Sequence, residues 1–189
     1  MICALKYRSV LLHVSLCRSG TFSSGAAFGY NTGVRAIINH LYTLTLSLWV
    51  GGIFLFTFVV TPVIFKSYGR DMAGEIVGKL FPSYFLFSVF VSVASLIWYL
   101  LSFPEGKIHG HNLSLMLLTA AVVLSLYVSV RLHPEIRGVK QQIASFETVS
   151  PEDPLRKKFS ALHVRSAILN ILMLADGVAL LIIRCRLIT

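Results

Sequence analysis

The chain alternates between long apolar stretches and short stretches that carry most of its charges. The first apolar stretch, Ala36–Phe65, runs for thirty residues without a formally charged side chain. An α-helix rises about 1.5 Å per residue and the hydrocarbon core of a bilayer is about 30 Å thick, so about 20 apolar residues can cross it. This stretch therefore predicts a transmembrane helix with residues to spare.

Three further apolar stretches follow, and the last of them is interrupted by one acid, Asp176. Helices are expected because a backbone in lipid must satisfy its own hydrogen bonds, and the alternation typical of barrel strands is absent. The sequence predicts an all-α, polytopic membrane four-helix bundle. A poorly ordered N-terminal extension (1–33) would precede a four-helix transmembrane domain (34–189) with spans at about 36–65, 80–103, 112–130 and 166–183.

The connections between the spans differ in character. Lys66–Lys79 is short, charged and glycine-bearing, and is expected to lie at the membrane interface with Met72, Ile76 and Leu80 at helical spacing. Pro104–His111 predicts a tight turn. In the longest connection, Arg131–Arg165, apolar residues recur at steps of three and four, which predicts a short amphipathic helix: Ile136, Val139, Ile143 and Phe146.

The fourth helix is expected to begin before its apolar span. Ser150 and Asp153 have the spacing of a helix N-terminus in which serine is the capping residue and an acid follows three positions later. This pattern predicts a helix start near Pro151 and a helix that projects beyond the membrane.

Composition narrows the class of protein. Hydrophobic residues make up 56% of the 189 residues and charged residues only 13%, compared with about 25% charged in soluble domains. The formal net charge of +9 does not indicate nucleic-acid binding, because the cations lie mostly beside apolar spans, where they act as topology signals and contact lipid headgroups. The expected partners are the lipid bilayer and other subunits of a homo- or hetero-oligomer. The cysteines, Cys3, Cys17 and Cys185, form no CxxC motif and predict neither a disulfide framework nor a zinc site.

The distribution of cations predicts the orientation of the chain. We call the side of the membrane that holds the first and third connections side B and the opposite side, which holds both termini, side A. Side B carries ten Lys and Arg residues and side A seven, so side B is expected to be cytoplasmic, with both termini outside. The expected location is an inner membrane of the bacterial type.

Residues 1–33 affect this count, because they contribute Lys6, Arg8 and Arg18 to side A. Their short apolar run cannot span a bilayer, and no convincing small-residue cleavage site follows it. One alternative is that translation starts near Val34. Side A would then lose these three cations, and the predicted orientation would be better supported.

Several segments together resemble the transmembrane protein 205-like family: HLYTLTLSLWVGGIFLFTFVVTPVIF, KLFPSYF, RLHPEI and FSALHVRSAILN. The resemblance extends over about 38–183. Its markers are His40, the Trp49–Gly51 segment, Leu80–Pro82 and His163. It implies a small four-helix membrane protein, without a settled activity.

The first span alone also resembles copper resistance protein D and its haem-binding four-helix relatives, which share a histidine, a WxGG motif and a proline-ended apolar run. This local resemblance implies haem or a transition metal as a cofactor. The WxGG motif also has a packing explanation, because Gly51 and Gly52 permit close helix approach and Trp49 can pack across the gap.

Asp176 is the most unusual residue of the apolar spans. A charged side chain near the centre of a membrane helix costs about 2.5–3.5 kcal/mol on insertion scales, so it is expected to face the bundle and find a partner. In an up-down bundle Asp176 lies near side A, at the depth of the first helix's beginning. We therefore predict an intramembrane polar cluster of Asp176, His40, Asn39 and Tyr42, acting as a proton relay or ligand site or as a structural hydrogen-bond group.

Other polar residues offer weaker candidates. His133 and His163 are expected near each other at side B, where they could bind a transition metal or only pair with surface charges. His109 and His111 belong to the second turn. Because His40 and His163 lie near opposite sides, they are not expected to share one haem. Three serines recur along the second span and predict a polar helix contact or a narrow path: Ser88, Ser92 and Ser95.

The sequence contains no phosphate-binding loop, nucleophile elbow, HExxH motif or dinucleotide-binding glycine pattern, so neither a hydrolase nor a kinase is expected. A non-enzymatic role is favoured over an enzymatic one. Three hypotheses follow. The first is a membrane protein that supports export or tolerance of a metal or small solute through an intramembrane polar site. The second is a haem-dependent redox enzyme, and the third is an assembly subunit or scaffold.

Overall fold

The computed structural model describes residues 25–102 and 111–188, with side chains for residues 33–102 and 111–186. This described part contains helices and turns and no β-strand. Two π-helical segments, Phe56–Val60 and Val128–Leu132, join successive α-helices. The α-helices are α1 (Gly25–Leu55), α2 (Thr61–Ser67), α3 (Arg70–Leu101), α4 (His111–Tyr127), α5 (His133–Gln141) and α6 (Pro154–Ile188).

Four helical stretches are long and apolar enough to cross a membrane: Gly33–Ser67, Arg70–Leu101, His111–Gln141 and Pro154–Arg186. Large apolar side chains cover the outside of the bundle, and Phe90 is 73% exposed. Soluble monomers rarely expose so much apolar surface to water, whereas the acyl chains of a bilayer can cover it. The predicted all-α, polytopic four-helix fold is confirmed, and the chain is a multi-pass integral membrane protein.

The helices form an up-down bundle in which each span packs between two neighbours. The first span contacts α3 and α6, and α4 contacts the same two helices. The centre is filled by fully buried side chains from all four spans, including Leu46, Trp49, Ser92, Leu118 and Met173. Because lipid is as apolar as these side chains, close packing and hydrogen bonds between helices hold the bundle together.

Each π segment is followed by a proline near the start of the next helix, Pro62 in α2 and Pro134 in α5. Proline has no N–H, and its ring would clash with the carbonyl four residues earlier in a regular α-helix. Those carbonyls belong to Phe58 and Val130, inside the π segments. The wider π turn relieves the clash, so the chain continues as a helix through both prolines.

Two boundaries differ from the sequence prediction. The segment expected at the interface, Lys66–Lys79, breaks only after Ser67, and α3 then runs without interruption from Arg70. The predicted amphipathic helix is also continuous with the third span and ends at Gln141. Ile136 and Val139 are buried as its pattern indicated, whereas Ile143 and Phe146 lie beyond the helix end.

The fourth helix begins at Pro154 rather than Pro151, and its capping residue is Asp153 rather than Ser150. Asp153 Oδ1 accepts hydrogen bonds from the backbone N–H of Leu155 at 2.8 Å and of Arg156 at 3.2 Å. A residue before proline favours the extended conformation that a capping residue needs, and proline fits the first helical position. Ser150 instead accepts a hydrogen bond from the Glu152 N–H within the preceding turn.

The sequence predicts a poorly ordered extension at the start of the chain. Residues 1–24, with Cys3 and Cys17, lie outside the described residues, as do residues 103–110 with His109. Residues 25–33 are helical and continue into the first span. Once a helix has formed, adding residues to its end is far less costly than starting a new helix, which accounts for this extension.

Candidate functional sites

A polar group lies near side A, where the beginning of α1 faces the end of α6. Tyr42 is buried, with 3% of its surface exposed, and the Arg184 guanidinium carbon lies 5.7 Å from the centre of its ring. Tyr42 is within electrostatic reach of both Arg184 and Asp176. The hydroxyl-bearing ring therefore lies near both a carboxylate and a guanidinium.

The carboxylate of Asp176 is buried and lacks a hydrogen-bond partner among the described residues. No described residue donates a hydrogen bond to either of its oxygens, and Arg184 Nε is likewise buried without a hydrogen-bond partner there. Native proteins satisfy nearly all buried polar atoms. Two such groups of opposite charge on one helix near side A mark this region as a candidate site.

The structure brings part of the predicted cluster together, since Tyr42 lies near Asp176. His40 lies on the exposed face of α1, and its Nδ1 is 2.6 Å from the carbonyl oxygen of Ala36. It makes no hydrogen bond to the Asp176 oxygens. Successive helical residues are rotated by about 100°, so His40 and Tyr42 point to nearly opposite sides. Asn39 is half-buried, and its carbonyl oxygen accepts a hydrogen bond from Thr43 Oγ1.

Arg184 lies over the Tyr42 ring, a position that the sequence does not reveal directly, because a cation near the end of a span usually signals only topology. The spacing of residues along α6 nevertheless indicates that Arg184 faces the bundle. Arg184 continues a stripe at steps of three and four residues whose other members are buried: Met173, Gly177 and Leu180. A cation at the end of such a stripe points toward the bundle.

Hydrogen bonds between helices follow the serine face of α3. Trp49 Nε1 donates to Ser88 Oγ at 3.1 Å, and Ser95 Oγ donates to Thr45 Oγ1 at 3.0 Å. The hydroxyls of Ser92 and Ser125 are 3.0 Å apart. The three serines therefore connect α3 to α1 and α4.

A second group of hydrogen bonds joins three spans through a residue that sequence reasoning missed. Asn170 of α6 accepts a hydrogen bond from the Tyr84 hydroxyl and donates one to Thr57 Oγ1, both at 2.6 Å. The signal was an amide inside an otherwise apolar span, which is costly unless it is hydrogen-bonded.

The two glycines of the first span have different surroundings. A Cβ atom at Gly52 would lie 2.6 Å from Phe87 Cε1, so this glycine permits close contact with α3. A Cβ atom at Gly51 would meet no atom within 4 Å, and Gly51 is exposed. Of the two glycines predicted to pack, Gly52 therefore makes the close helix contact, whereas Gly51 faces outward. Trp49 and Val50 instead approach Gly177 of α6.

A cavity of about 600 Å³ opens at side B, where the apolar spans give way to the charged connections. Its walls come from α2, α3, α5, α6 and the connection between α5 and α6. Phenylalanine rings form part of the lining, and the charged residues around it are mostly cations: Phe65, Phe81, Phe146, Phe159, Arg70, Lys79, Arg137, Lys140 and Glu75.

The connection after α5 is fastened to the start of α3. Asp71 accepts hydrogen bonds from Ser145 Oγ at 2.5 Å and from the Phe146 N–H at 2.6 Å. The Phe146 ring then packs against Phe159, with 4.8 Å between ring centres. These contacts hold an aromatic side chain in the cavity wall.

His133 and His163 both line this cavity, in an aromatic setting. The His133 ring centre lies 5.7 Å from that of Phe81 and 5.2 Å from that of Phe85, and His163 stacks on Phe159 at 5.9 Å. Among the residues with described side chains, no group of three or more His, Cys, Asp and Glu side chains is arranged to hold a metal ion. Glu135, the nearby acid, pairs with Lys158 at 3.9 Å.

The positions of His40 and His163 bear on haem. Thr57 and Asn170 are hydrogen-bonded and therefore mark one common level of the bundle. His40 lies seventeen residues from Thr57 toward side A, and His163 lies seven residues from Asn170 toward side B. At about 1.5 Å per residue, the two histidines are separated by on the order of 35 Å along the bundle. They cannot ligate one haem from its two faces.

Comparison with protein families gives a match to most of the first three spans. The family described as Domain of unknown function (DUF4149) matches residues 44–145, more than half of the chain. The chain belongs to the DUF4149 family. No curated protein and no solved structure matches it significantly.

The DUF4149 match covers most of the first span, the second and third spans and most of the side B cavity, including Trp49, the serine face of α3, and Lys140. The helix α6 lies outside the matched residues, and with it Asn170, Asp176 and Arg184. The DUF4149 description assigns no activity, so function must be argued from the sites themselves.

Proposed function

We propose that this integral membrane protein supports the export or tolerance of a metal ion or small polar solute through the polar site around Asp176. The observation that carries the proposal is the Asp176 carboxylate, buried in the bundle without a hydrogen bond from any described residue. An uncompensated charge in a membrane span is costly, and such residues typically mark ion or substrate pathways. A proton, a cation or a polar solute would supply the missing interaction.

Tyr42 and Arg184 extend this site. The Arg184 guanidinium lies over the Tyr42 ring, and Tyr42 is within electrostatic range of Asp176 as well. The site therefore offers a carboxylate, a phenol and a guanidinium, which together can bind groups of either charge. Its position near side A suits a solute that leaves the bundle on that side.

We also propose a family and a membrane location for this protein. The quoted segments favour membership of the transmembrane protein 205-like family and, from the excess of cations at side B, an inner membrane with both termini outside the cytoplasm. A haem-dependent redox enzyme is the weaker alternative, because His40 and His163 are too far apart for one haem. A scaffold subunit is the alternative if the polar site serves only packing.

Substitution of Asp176 tests the proposal. Cells that express the protein would be compared with cells that express Asp176→Asn, Asp176→Ala and Asp176→Glu, and the accumulation of a panel of divalent metals and small organic cations would be measured. The neutral variants are expected to abolish the difference from cells without the protein, while Asp176→Glu, which keeps the carboxylate, retains part of it.

The amount of folded protein in the membrane is measured in the same cells. Neutral variants that keep full transport and lose only stability would leave Asp176 a structural role and contradict the proposal. An absorbance spectrum of the purified protein with a Soret band would favour the haem alternative instead. Isolation in mild detergent with stoichiometric partner chains would favour the scaffold.

A further inference from the structure

The side B cavity combines an apolar wall with a cationic rim. Phe81 and Phe159 lie in its wall, while Arg70, Arg137 and Lys140 surround it. One acid, Glu75, belongs to the described lining, and it pairs with Lys79 at 2.7 Å. The lining therefore carries a net positive charge beside an aromatic surface, which suits an anion attached to an apolar body.

Two of the cations are available to a ligand. Arg70 and Arg137 are exposed, and neither makes an ion pair or side-chain hydrogen bond with a residue in the described part of the chain. Lys140 is oriented by the protein, because its Nζ donates to the Gly74 carbonyl oxygen at 2.5 Å. A Cβ atom at Gly78 would lie 3.3 Å from the same Nζ, so this glycine leaves room for the lysine to lie along α3.

The depth of the cavity matches a lipid headgroup. Phe65 ends the first uncharged stretch and Lys79 immediately precedes the second, and both line the cavity. The cavity thus lies at the border between hydrocarbon and aqueous connection, on the side with more cations. Basic pockets between membrane helices at this depth bind anionic lipid headgroups.

We propose that the cavity between α3, α5 and α6 at side B is a binding site for an anionic phospholipid, whose phosphate contacts Arg70 and Arg137 and whose chains pass along the phenylalanine wall. The volume of about 600 Å³ accommodates a headgroup and the first part of the chains. The exposed Phe65 provides an apolar surface along which the chains continue into the bilayer. This site is at the opposite end of the bundle from Asp176 and does not depend on the function proposed there.

The proposal is tested by lipid binding to the purified full chain in detergent. Native mass spectrometry would compare phosphatidylglycerol with phosphatidylcholine of the same acyl chains. Wild-type protein is expected to retain phosphatidylglycerol preferentially. The double variant Arg70→Gln and Arg137→Gln should lose about tenfold or more of that affinity, since each cation near a membrane surface contributes on the order of 1 kcal/mol with an anionic lipid.

A matched double variant controls for total charge. Lys66→Gln and Arg131→Gln remove two exposed side B cations that do not line the cavity, and this variant is expected to bind phosphatidylglycerol as wild type does. An equal loss in both double variants would show a diffuse surface effect and overturn the proposal. Equal retention of the two lipids by the wild type would overturn it as well.

Inorganic phosphate at matched ionic strength distinguishes the two sources of a phosphate group. If free phosphate displaces phosphatidylglycerol at equal concentration, the site recognises an anion alone and the lipid proposal is wrong. Melting curves of both double variants are measured alongside, and because all four side chains are exposed, wild-type melting temperatures are expected.

Discussion

Glycine residues of the bundle differ in what a side chain would meet. A Cβ atom at Gly177 would lie 2.7 Å from Val50 Cγ2 and 3.3 Å from Trp49 Cε3, closer than atoms in a packed core tolerate. The contact between α1 and α6 therefore depends on the absence of a side chain at this position. Gly51, in contrast, has open space around it.

Gly177→Ala is expected to destabilise the protein by about 1–3 kcal/mol, because the added methyl group must displace two packed side chains. Gly51→Ala is the matched control and should be neutral or stabilising by about 0.5–1 kcal/mol, since alanine favours the helix and meets no neighbour. Reversible unfolding in mixed detergent micelles measures both. Equal destabilisation by the two substitutions would contradict a close contact of Gly177 with Trp49 and Val50.

At this scale the sequence predicted which residues are unusual better than where they point. Asp176 stands out in an apolar span by its cost alone, and the structure buries it. Its neighbours depend on helix rotation, which a common depth does not determine. His40 and Tyr42 share a depth but face different sides, and the place of Arg184 over Tyr42 does not follow from its sequence position, because terminal cations usually signal only topology.

Contacts between helices rely on hydrogen bonds as well as on shape. The bond from the buried Trp49 indole to the buried Ser88 hydroxyl links α1 to α3 at the centre of the bundle. In membrane proteins such bonds contribute modestly, because the unfolded chain in lipid finds other partners.

A double-mutant cycle measures this contact. Trp49→Phe, Ser88→Ala and the combined variant are expected to show a coupling energy of about 0.6–1.7 kcal/mol. The control combines Trp49→Phe with Thr119→Ala, because the exposed Thr119 hydroxyl donates only within its own helix, to the Leu115 carbonyl oxygen. That pair should be additive, and a coupling energy near zero in the Trp49–Ser88 cycle would contradict a stabilising bond.

Helix existence was predictable from length and hydropathy, whereas helix ends were not. Apolar runs mark the part of a helix that lies in lipid, but α3 and α6 extend past their runs through charged residues that helices accept equally well. The π segments could not be deduced from composition. They follow from Pro62 and Pro134, whose rings would clash within an unbroken α-helix.

The distribution of charge over the whole molecule predicts its orientation. Side B carries the excess of cations and also the cavity with its cationic rim. If side B is cytoplasmic, the cavity faces the leaflet in which anionic lipids give a negative surface potential. The orientation and the proposed lipid site are therefore physically consistent.

Cysteine labelling tests the orientation. One variant keeps only Cys185, at the exposed side A end of α6, and a second lacks all native cysteines and carries Thr148→Cys in the side B connection. A membrane-impermeant maleimide is expected to label the first variant in intact cells and the second only after permeabilisation. The reverse pattern would place side A in the cytoplasm.

The level of the two π segments has a mechanical consequence. The Phe81 ring centre lies 5.6 Å from that of Phe56 and 5.7 Å from that of His133, so both segments and the neighbouring Pro82 occupy one layer of the bundle. Three of the four spans carry a proline there, and each proline removes a backbone donor from its helix. Among the described spans, α6 crosses this layer without a proline, and α3 crosses it as a continuous helix that contains Pro82. We expect the three spans with a proline in this layer to bend there more easily than α6 does. A change in bilayer thickness would then alter the shape of the side B cavity, while the region around Asp176 stays rigid.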